Sequence, residues 1–147
     1  KSSKMGRAAG FLAGAAVGAA AVVLVARSKS GRDLRAQLDT GDAVRSRIKA
    51  TIEEHDVVIF SKSYCPFCKR VKGLFGQMLG ASAESRMYVL ELDHNPDGTQ
   101  IQAALLDLTK QRTVPNVWVQ GKHIGGNDDT QELARSGKLQ AMLGLTK

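Results

Sequence analysis

The chain has 147 residues, of which 43% are hydrophobic, and carries a net charge of +7. The length predicts one domain with an extension, and the hydrophobic content suits a packed core. Residues 1–50 hold ten Lys or Arg against three Asp or Glu, whereas residues 51–147 hold eleven of each. Because the basic excess lies wholly in the N-terminal part, the charge argues against a nucleic-acid-binding main domain.

Residues 8–26 contain no charged side chain, and Arg7, Arg27 and Lys29 flank them. A membrane-spanning helix needs about 20 apolar residues, and this segment is close to that length but rich in Ala and Gly, which insert weakly. An organelle-targeting peptide is also rich in Arg, contains Ser and lacks acidic residues. A membrane anchor and a mitochondrial or plastid targeting peptide therefore stay open, with a secretory signal as a third alternative. Without such a role for this segment, we expect a cytoplasmic protein.

We expect residues 1–40 to form an N-terminal extension that ends in a polar linker over residues 27–40. Residues 41–147 are expected to form the main domain. The pattern of apolar residues becomes regular from Val44 onwards, where they first recur at helical spacing.

The main domain is predicted to alternate helices with short strands. Val57–Phe60 is an apolar, β-branched run that predicts a buried strand, and Met87–Leu92 predicts a second strand. An amphipathic helix follows each of them, and another precedes the first. A hairpin that turns at Gln120–Gly121 and a last helix from about Asp128 to Met142 complete the order α-β-α-β-α-β-β-α. This order predicts an α/β fold, a small mixed sheet with helices on both faces.

The chain contains two cysteines, Cys65 and Cys68, in the sequence Cys-Pro-Phe-Cys. A disulfide-stabilised secreted domain would carry more cysteines along the chain, so this pair indicates redox or metal chemistry. A closed zinc site needs four ligands, and none of the three histidines lies at a partner spacing, so we expect no metal. The pair lies where the first predicted strand ends and a helix begins, which is typical of a redox motif.

Cys65 is predicted to lie at the N-terminus of that helix. The first-turn N–H groups have no partner within the helix and the helix dipole is positive there, so an ionised sulfur is stabilised. Lys62 and Lys69 add positive charge nearby, and Pro66 suits the first turn because it lacks an N–H group. Cys68 lies one turn further in and is more enclosed. We therefore predict that Cys65 attacks the substrate and that Cys68 is the resolving cysteine.

The stretch Ser61–Cys68 resembles the active-site stretch of dithiol glutaredoxins. Three further blocks resemble that family in the same order, namely Ile101–Gln102, Gln111–Pro115 and Gly125–Asp129. The resemblance covers about residues 41–147. It implies a thioredoxin fold with a four-stranded mixed sheet. It also implies a glutathione-dependent oxidoreductase that reduces protein–glutathione mixed disulfides and protein disulfides.

The resemblance further implies which residues bind glutathione. Lys62 would pair with the glycyl carboxylate, and the Val114 backbone would pair with the cysteinyl part beside a cis Pro115. The backbone at Asp128 and Asp129, near a helix N-terminus, would bind the γ-glutamyl carboxylate. The full implied set is Lys62, Phe67, Gln102, Arg112, Thr113, Val114, Pro115, Asp128 and Asp129.

The sequence departs from the family pattern at two positions. Phe67 stands where many members carry Tyr, and Asn127 stands where many carry a further Cys.

Two alternative functions stay open. One is a thioredoxin-like protein that a reductase reduces, against which the implied glutathione-binding residues argue. The other is an iron–sulfur carrier with a cluster held by Cys65 and glutathione, although Pro66 resembles members that usually bind none. We expect a monomer whose partners are glutathione and glutathionylated or disulfide-containing proteins.

Overall fold

The computed structural model describes the backbone of residues 29–146 and the side chains of residues 40–146. Residues from Thr40 onwards form one compact unit. The membrane-anchor and targeting predictions fall on residues 8–26, which lie outside the described residues. Within the part of the chain that the structure describes, no helix combines the length and the apolar character needed to span a membrane.

Helices and short strands alternate along the chain, with a short 3-10 turn at Gly80–Ser82. The helices are α1 (Lys29–Glu54), α2 (Pro66–Leu79), α3 (Ala83–Arg86), α4 (Gly98–Thr109), α5 (Asn127–Arg135) and α6 (Lys138–Met142). The strands are β1 (Val57–Ser61), β2 (Met87–Glu91), β3 (Asn116–Val119) and β4 (Lys122–Gly125).

The strands form one four-stranded mixed sheet in the order β2-β1-β3-β4. Strand β1 is parallel to β2 and antiparallel to β3, and β3 is antiparallel to β4. The β3–β4 hairpin turns at Gln120 and Gly121, whose φ values of 49° and 75° are both positive, as a tight right-twisted hairpin requires. The predicted α/β class and mixed sheet are confirmed.

Strand β1 is buried along its whole length because helices cover both faces of the sheet. Val58 and Phe60 point to one face, where they pack with residues of α1 and α4. Val57 and Ile59 point to the other face, where they pack with residues of α2 and α6. This alternation follows the two-residue period of a strand. The parallel strands β1 and β2 end at the same edge of the sheet, where open α/β sheets bind their ligands.

Two predicted boundaries are wrong. Helix α1 begins at Lys29, whereas the polar composition of residues 27–40 predicted a linker there. Polarity does not prevent helix formation, since Arg, Gln and Leu all favour helices. The predicted last helix is two helices, because Gly137 has a φ of 75° and ends the run between α5 and α6. The break lets Leu139 bury completely in the core beside α2.

Candidate active site

Cys65 is the N-cap residue of helix α2 and lies just past the end of β1. Its backbone is extended, with φ −79° and ψ 119°, and Pro66 follows as the first helical residue. The Cys65 Sγ accepts a hydrogen bond from the Cys68 N–H at 3.4 Å. The sulfur therefore takes the place of an N-cap oxygen at the positive end of the helix dipole. This position stabilises negative charge on the sulfur.

The two cysteines differ in their exposure to solvent. Cys65 keeps 9% of its surface accessible, whereas Cys68 is fully buried in α2. Burial raises the pKa of the Cys68 thiol, which keeps it protonated near neutral pH. Both thiols are free in this structure. Cys65 is thus the sulfur that an external disulfide can reach, and Cys68 lies beneath it as the enclosed thiol.

This difference predicts unequal alkylation of the two cysteines. Iodoacetamide at about pH 7 should modify Cys65 at least about tenfold faster than Cys68, because the reagent needs an accessible thiolate. Fragmentation of the peptide that contains both cysteines, recorded by mass spectrometry over time, measures the two rates. The chain unfolded in denaturant is the control, in which both cysteines should react alike. Equal rates in the folded protein would contradict the assignment.

The loop between α4 and β3 faces the Cys65 sulfur. The Val114–Pro115 peptide bond is cis, as the resemblance implies. The Val114 carbonyl oxygen lies 3.9 Å from the Cys65 Sγ. The loop therefore presents the main chain of Val114 directly beside the reactive sulfur.

A groove of about 400 Å³ lies along this loop. Six of the predicted glutathione-binding residues line it, namely Phe67, Thr113, Val114, Pro115, Asp128 and Asp129. Gln111, Gly126 and Asn127 complete the lining. The structure thus brings together residues from α2, from the cis-proline loop and from the start of α5.

The N-terminus of α5 closes one end of the groove. The Asp129 carboxylate accepts a hydrogen bond from the Gly126 N–H at 3.0 Å, which caps the helix. Gly125 has a φ of 113°, and a Cβ added there would lie 2.2 Å from the Asp129 carboxylate oxygen. A residue other than glycine would be strained at this φ and would displace the Asp129 carboxylate that caps the helix.

The other three predicted glutathione-binding residues do not line this groove. Lys62 and Gln102 line a second groove of about 220 Å³, together with Tyr64 and Asp93. The Gln102 side-chain amide donates to the Arg112 carbonyl oxygen at 3.1 Å, so it serves the backbone of the cis-proline loop. The Arg112 side chain is exposed. Among the described residues, no three His, Cys, Asp or Glu side chains lie close enough to hold a metal ion.

Two exposed aromatic rings lie at the mouth of the site. Tyr64 and Phe67 are 69% and 49% exposed, so each presents an aromatic face to solvent. Arg70 lies over the Phe67 ring, 5.6 Å from its centroid. Gln111 also lines the main groove. It belongs to the block Gln111–Pro115 that resembles the family, but it was not predicted to be a glutathione-binding residue.

Two thiols of unequal exposure at the start of a helix can exchange with an external disulfide. On this sheet they make the molecule a thiol–disulfide oxidoreductase of the thioredoxin fold. The Glutaredoxin family model matches residues 57–124. Glutaredoxin-C8 of Oryza sativa subsp. japonica is 45% identical over 135 residues, which cover 91% of this chain and 93% of that protein. The chain belongs to the glutaredoxin family.

Other relatives and solved structures agree with this assignment. Glutaredoxin-1 of Saccharomyces cerevisiae is 43% identical over 96 residues, which cover 65% of this chain and 86% of that protein. The crystal structure of a buckwheat glutaredoxin–glutathione complex is similar with a TM-score of 0.66 and 46% identity, over 72% of this chain and 92% of that one. The crystal structure of wheat glutaredoxin gives a TM-score of 0.63 and 48% identity, over 71% and 93% of the two chains.

Proposed function

We propose that this glutaredoxin uses glutathione to reduce protein–glutathione mixed disulfides and protein disulfides. The observation that carries the proposal is the groove beside Cys65, in which the main chain of Val114 and the N-terminus of α5 are both open to a ligand. A peptide with a free carboxylate at one end and a cysteine in the middle matches this arrangement. The buckwheat relative in its glutathione complex supports the choice of ligand.

The proposed binding mode uses backbone groups more than side chains. The cysteinyl part of glutathione pairs with the N–H and carbonyl groups of Val114, as an added strand would. The γ-glutamyl carboxylate meets the N–H groups at Asp128 and Asp129, where the helix dipole favours an anion. Phe67 provides an aromatic wall. Lys62 pairs with the glycyl carboxylate from the second groove.

Gln102 and Arg112 have secondary parts in this binding mode. The Gln102 amide would have to leave the Arg112 carbonyl oxygen before it could donate to a glutathione carboxylate. The exposed Arg112 guanidinium can add positive charge beside the glycyl carboxylate without such a rearrangement.

The reaction begins when the Cys65 thiolate attacks the glutathione-side sulfur of a mixed disulfide. The bond between the two substrate sulfurs breaks, the protein thiolate leaves and takes up a proton, and Cys65 carries the glutathione. A second glutathione thiolate then attacks the glutathione sulfur, which releases oxidised glutathione and regenerates the Cys65 thiolate. With a protein disulfide, the Cys65 thiolate attacks one substrate sulfur, and the other substrate sulfur leaves as a thiolate and takes up a proton. Cys68 then attacks the Cys65 sulfur of this mixed disulfide, the Cys65–substrate bond breaks, and the departing substrate sulfur takes up the proton that Cys68 gives up. Two glutathione molecules reduce the resulting Cys65–Cys68 disulfide and leave as oxidised glutathione.

A comparison of electron donors tests the proposal. The purified protein is given a glutathionylated peptide with glutathione, glutathione reductase and NADPH, and NADPH oxidation is followed. We expect turnover that saturates with the peptide, because the groove binds the glutathione part. The same assay with thioredoxin and thioredoxin reductase in place of glutathione should give only background. Turnover with thioredoxin reductase but none with glutathione would refute the proposal and favour a thioredoxin-like protein.

We also propose that residues 1–40 are an N-terminal extension of a monomeric domain of residues 41–147. The uncharged segment 8–26 supports a role in membrane anchoring or in organelle targeting. Fractionation of cells that express the C-terminally tagged protein, followed by carbonate extraction, separates these roles. An anchor keeps the full-length protein in the extracted membranes, whereas a targeting peptide yields a shortened, extractable protein inside the organelle.

A further inference from the structure

Gln111 binds the backbone on both sides of Val114. Its side-chain amide nitrogen donates to the Thr113 carbonyl oxygen at 2.9 Å and to the Pro115 carbonyl oxygen at 2.7 Å. Both hydrogens of that nitrogen are therefore used, and both bonds lie within the normal range. Between these two anchored carbonyls, the carbonyl of Val114 faces the Cys65 sulfur.

His123 fixes the other end of the same side chain. Its Nε2 lies 3.1 Å from the Gln111 Oε1, and the oxygen assignment follows because the Gln111 nitrogen faces two carbonyls. The Gln111 oxygen can only accept, so His123 must carry its hydrogen on Nε2. Burial lowers the pKa of His123, although the charge of Asp129 acts in the opposite direction. The ring also lies against Trp118, with centroids 5.2 Å apart.

We propose that Gln111, held by His123, is a positioning residue that sets the orientation of the Val114 main chain for glutathione binding. The inference rests on the proposed function, because it concerns the same groove. Although Gln111 lines the groove, its nitrogen and its oxygen are both engaged within the protein, so it acts through the loop and not by hydrogen bonds to the ligand. His123 on β4 thereby ties the loop to the β3–β4 hairpin.

Removal of Gln111 is expected to weaken substrate binding and to leave the reactivity of the Cys65 sulfur unchanged. Without Gln111 the carbonyls of Thr113 and Pro115 lose their partners, and the ligand must order a looser loop when it binds. The ligand must then supply the order that the two hydrogen bonds of Gln111 provide in the wild type, which corresponds to an increase in KM of about tenfold or more. The Cys65 sulfur is held at the start of α2 by the hydrogen bond from the Cys68 N–H, which does not depend on Gln111, so the chemical step should be preserved.

Gln111→Met tests the proposal because methionine keeps the length of the side chain and removes its donors. KM for a glutathionylated peptide should rise about tenfold, with kcat within about twofold of the wild type. The alkylation rate of Cys65 by iodoacetamide should not change. The matched control is Gln140→Met, which removes a similar side-chain bond to the Ala134 carbonyl oxygen in α5 and should leave KM and kcat unchanged. Thermal unfolding of both variants separates a loss of stability from a loss of binding.

His123→Phe is the second variant, since it keeps a ring beside Trp118 and removes the N–H donor. We expect KM to rise, and the double variant Gln111→Met/His123→Phe to bind no worse than Gln111→Met alone, because His123 acts through Gln111. If the wild type turns over glutathione and the KM of Gln111→Met is unchanged, this inference is wrong while the proposed function stands. If the increases in KM of the two single variants added in the double variant, His123 would not act through Gln111. An inactive wild type would instead refute the proposed function.

Discussion

Cys65→Ser is expected to lose glutathione-dependent turnover by more than about a thousandfold, because serine cannot supply a thiolate nucleophile at neutral pH. Cys68→Ser should keep at least about half of the turnover with a glutathionylated peptide, since Cys65 and one free glutathione complete that reaction without a second protein thiol. NADPH oxidation coupled through glutathione reductase measures both variants. The buried position of Cys68 and the N-cap position of Cys65 are the structural reasons for this difference.

The substrate provides the control for this experiment. With a protein disulfide as substrate, Cys68→Ser should accumulate a mixed disulfide with Cys65, because the resolving attack is missing. Mass spectrometry of the reaction mixture detects this adduct. If both variants lost activity equally on the glutathionylated peptide, the assignment of attacking and resolving roles would be wrong.

Gly98→Ala is expected to destabilise the folded chain strongly, although it adds only one methyl group. An added Cβ would lie 1.8 Å from the Leu92 carbonyl oxygen and 2.8 Å from its carbonyl carbon. Both are backbone atoms, so α4 would have to move away from the end of β2. We expect a loss of about 3 kcal/mol in the free energy of unfolding, which lowers Tm by about 10–20 °C for a domain of this size.

Gly73→Ala is the matched control for that substitution. Gly73 lies exposed within α2, and an added Cβ there would meet no atom within 4 Å. Alanine favours a helix interior over glycine by about 0.5–1 kcal/mol, so this variant should be more stable than the wild type. Urea unfolding followed by circular dichroism measures both variants. A Gly98→Ala variant as stable as the wild type would show that α4 can shift at little cost.

Local patterns in the sequence predicted most of the sheet and the place of the reactive cysteine. The apolar run at Val57–Phe60 predicted the buried strand β1, and the two residues Gln120 and Gly121 predicted the hairpin turn. Pro66 after Cys65 predicted a helix start. Each of these signals depends on neighbours only a few positions apart, so no knowledge of the folded chain was needed.

Local sequence patterns did not predict the features that depend on contacts between distant parts of the chain. The hydrogen bond from the Gln102 amide to the Arg112 carbonyl oxygen, ten residues further along, was not predicted, and the part of Gln102 in glutathione binding stays a prediction. Gln111 belongs to a block that resembles the family, but no role was predicted for it, because one of its partners is His123 on β4. The predicted last helix ran through Gly137, whereas the structure breaks it there and buries Leu139 of α6 in the core.

The amino-acid order by itself determined which sulfur stands at the start of a helix, because an N-cap is made by consecutive residues. Only the folded chain decided what stands opposite that sulfur. The cis-proline loop, the start of α5 and Phe67 come from separate segments, and packing on the two faces of one sheet brings them around a single groove. Long-range packing therefore builds the ligand site, whereas short-range geometry builds the nucleophile.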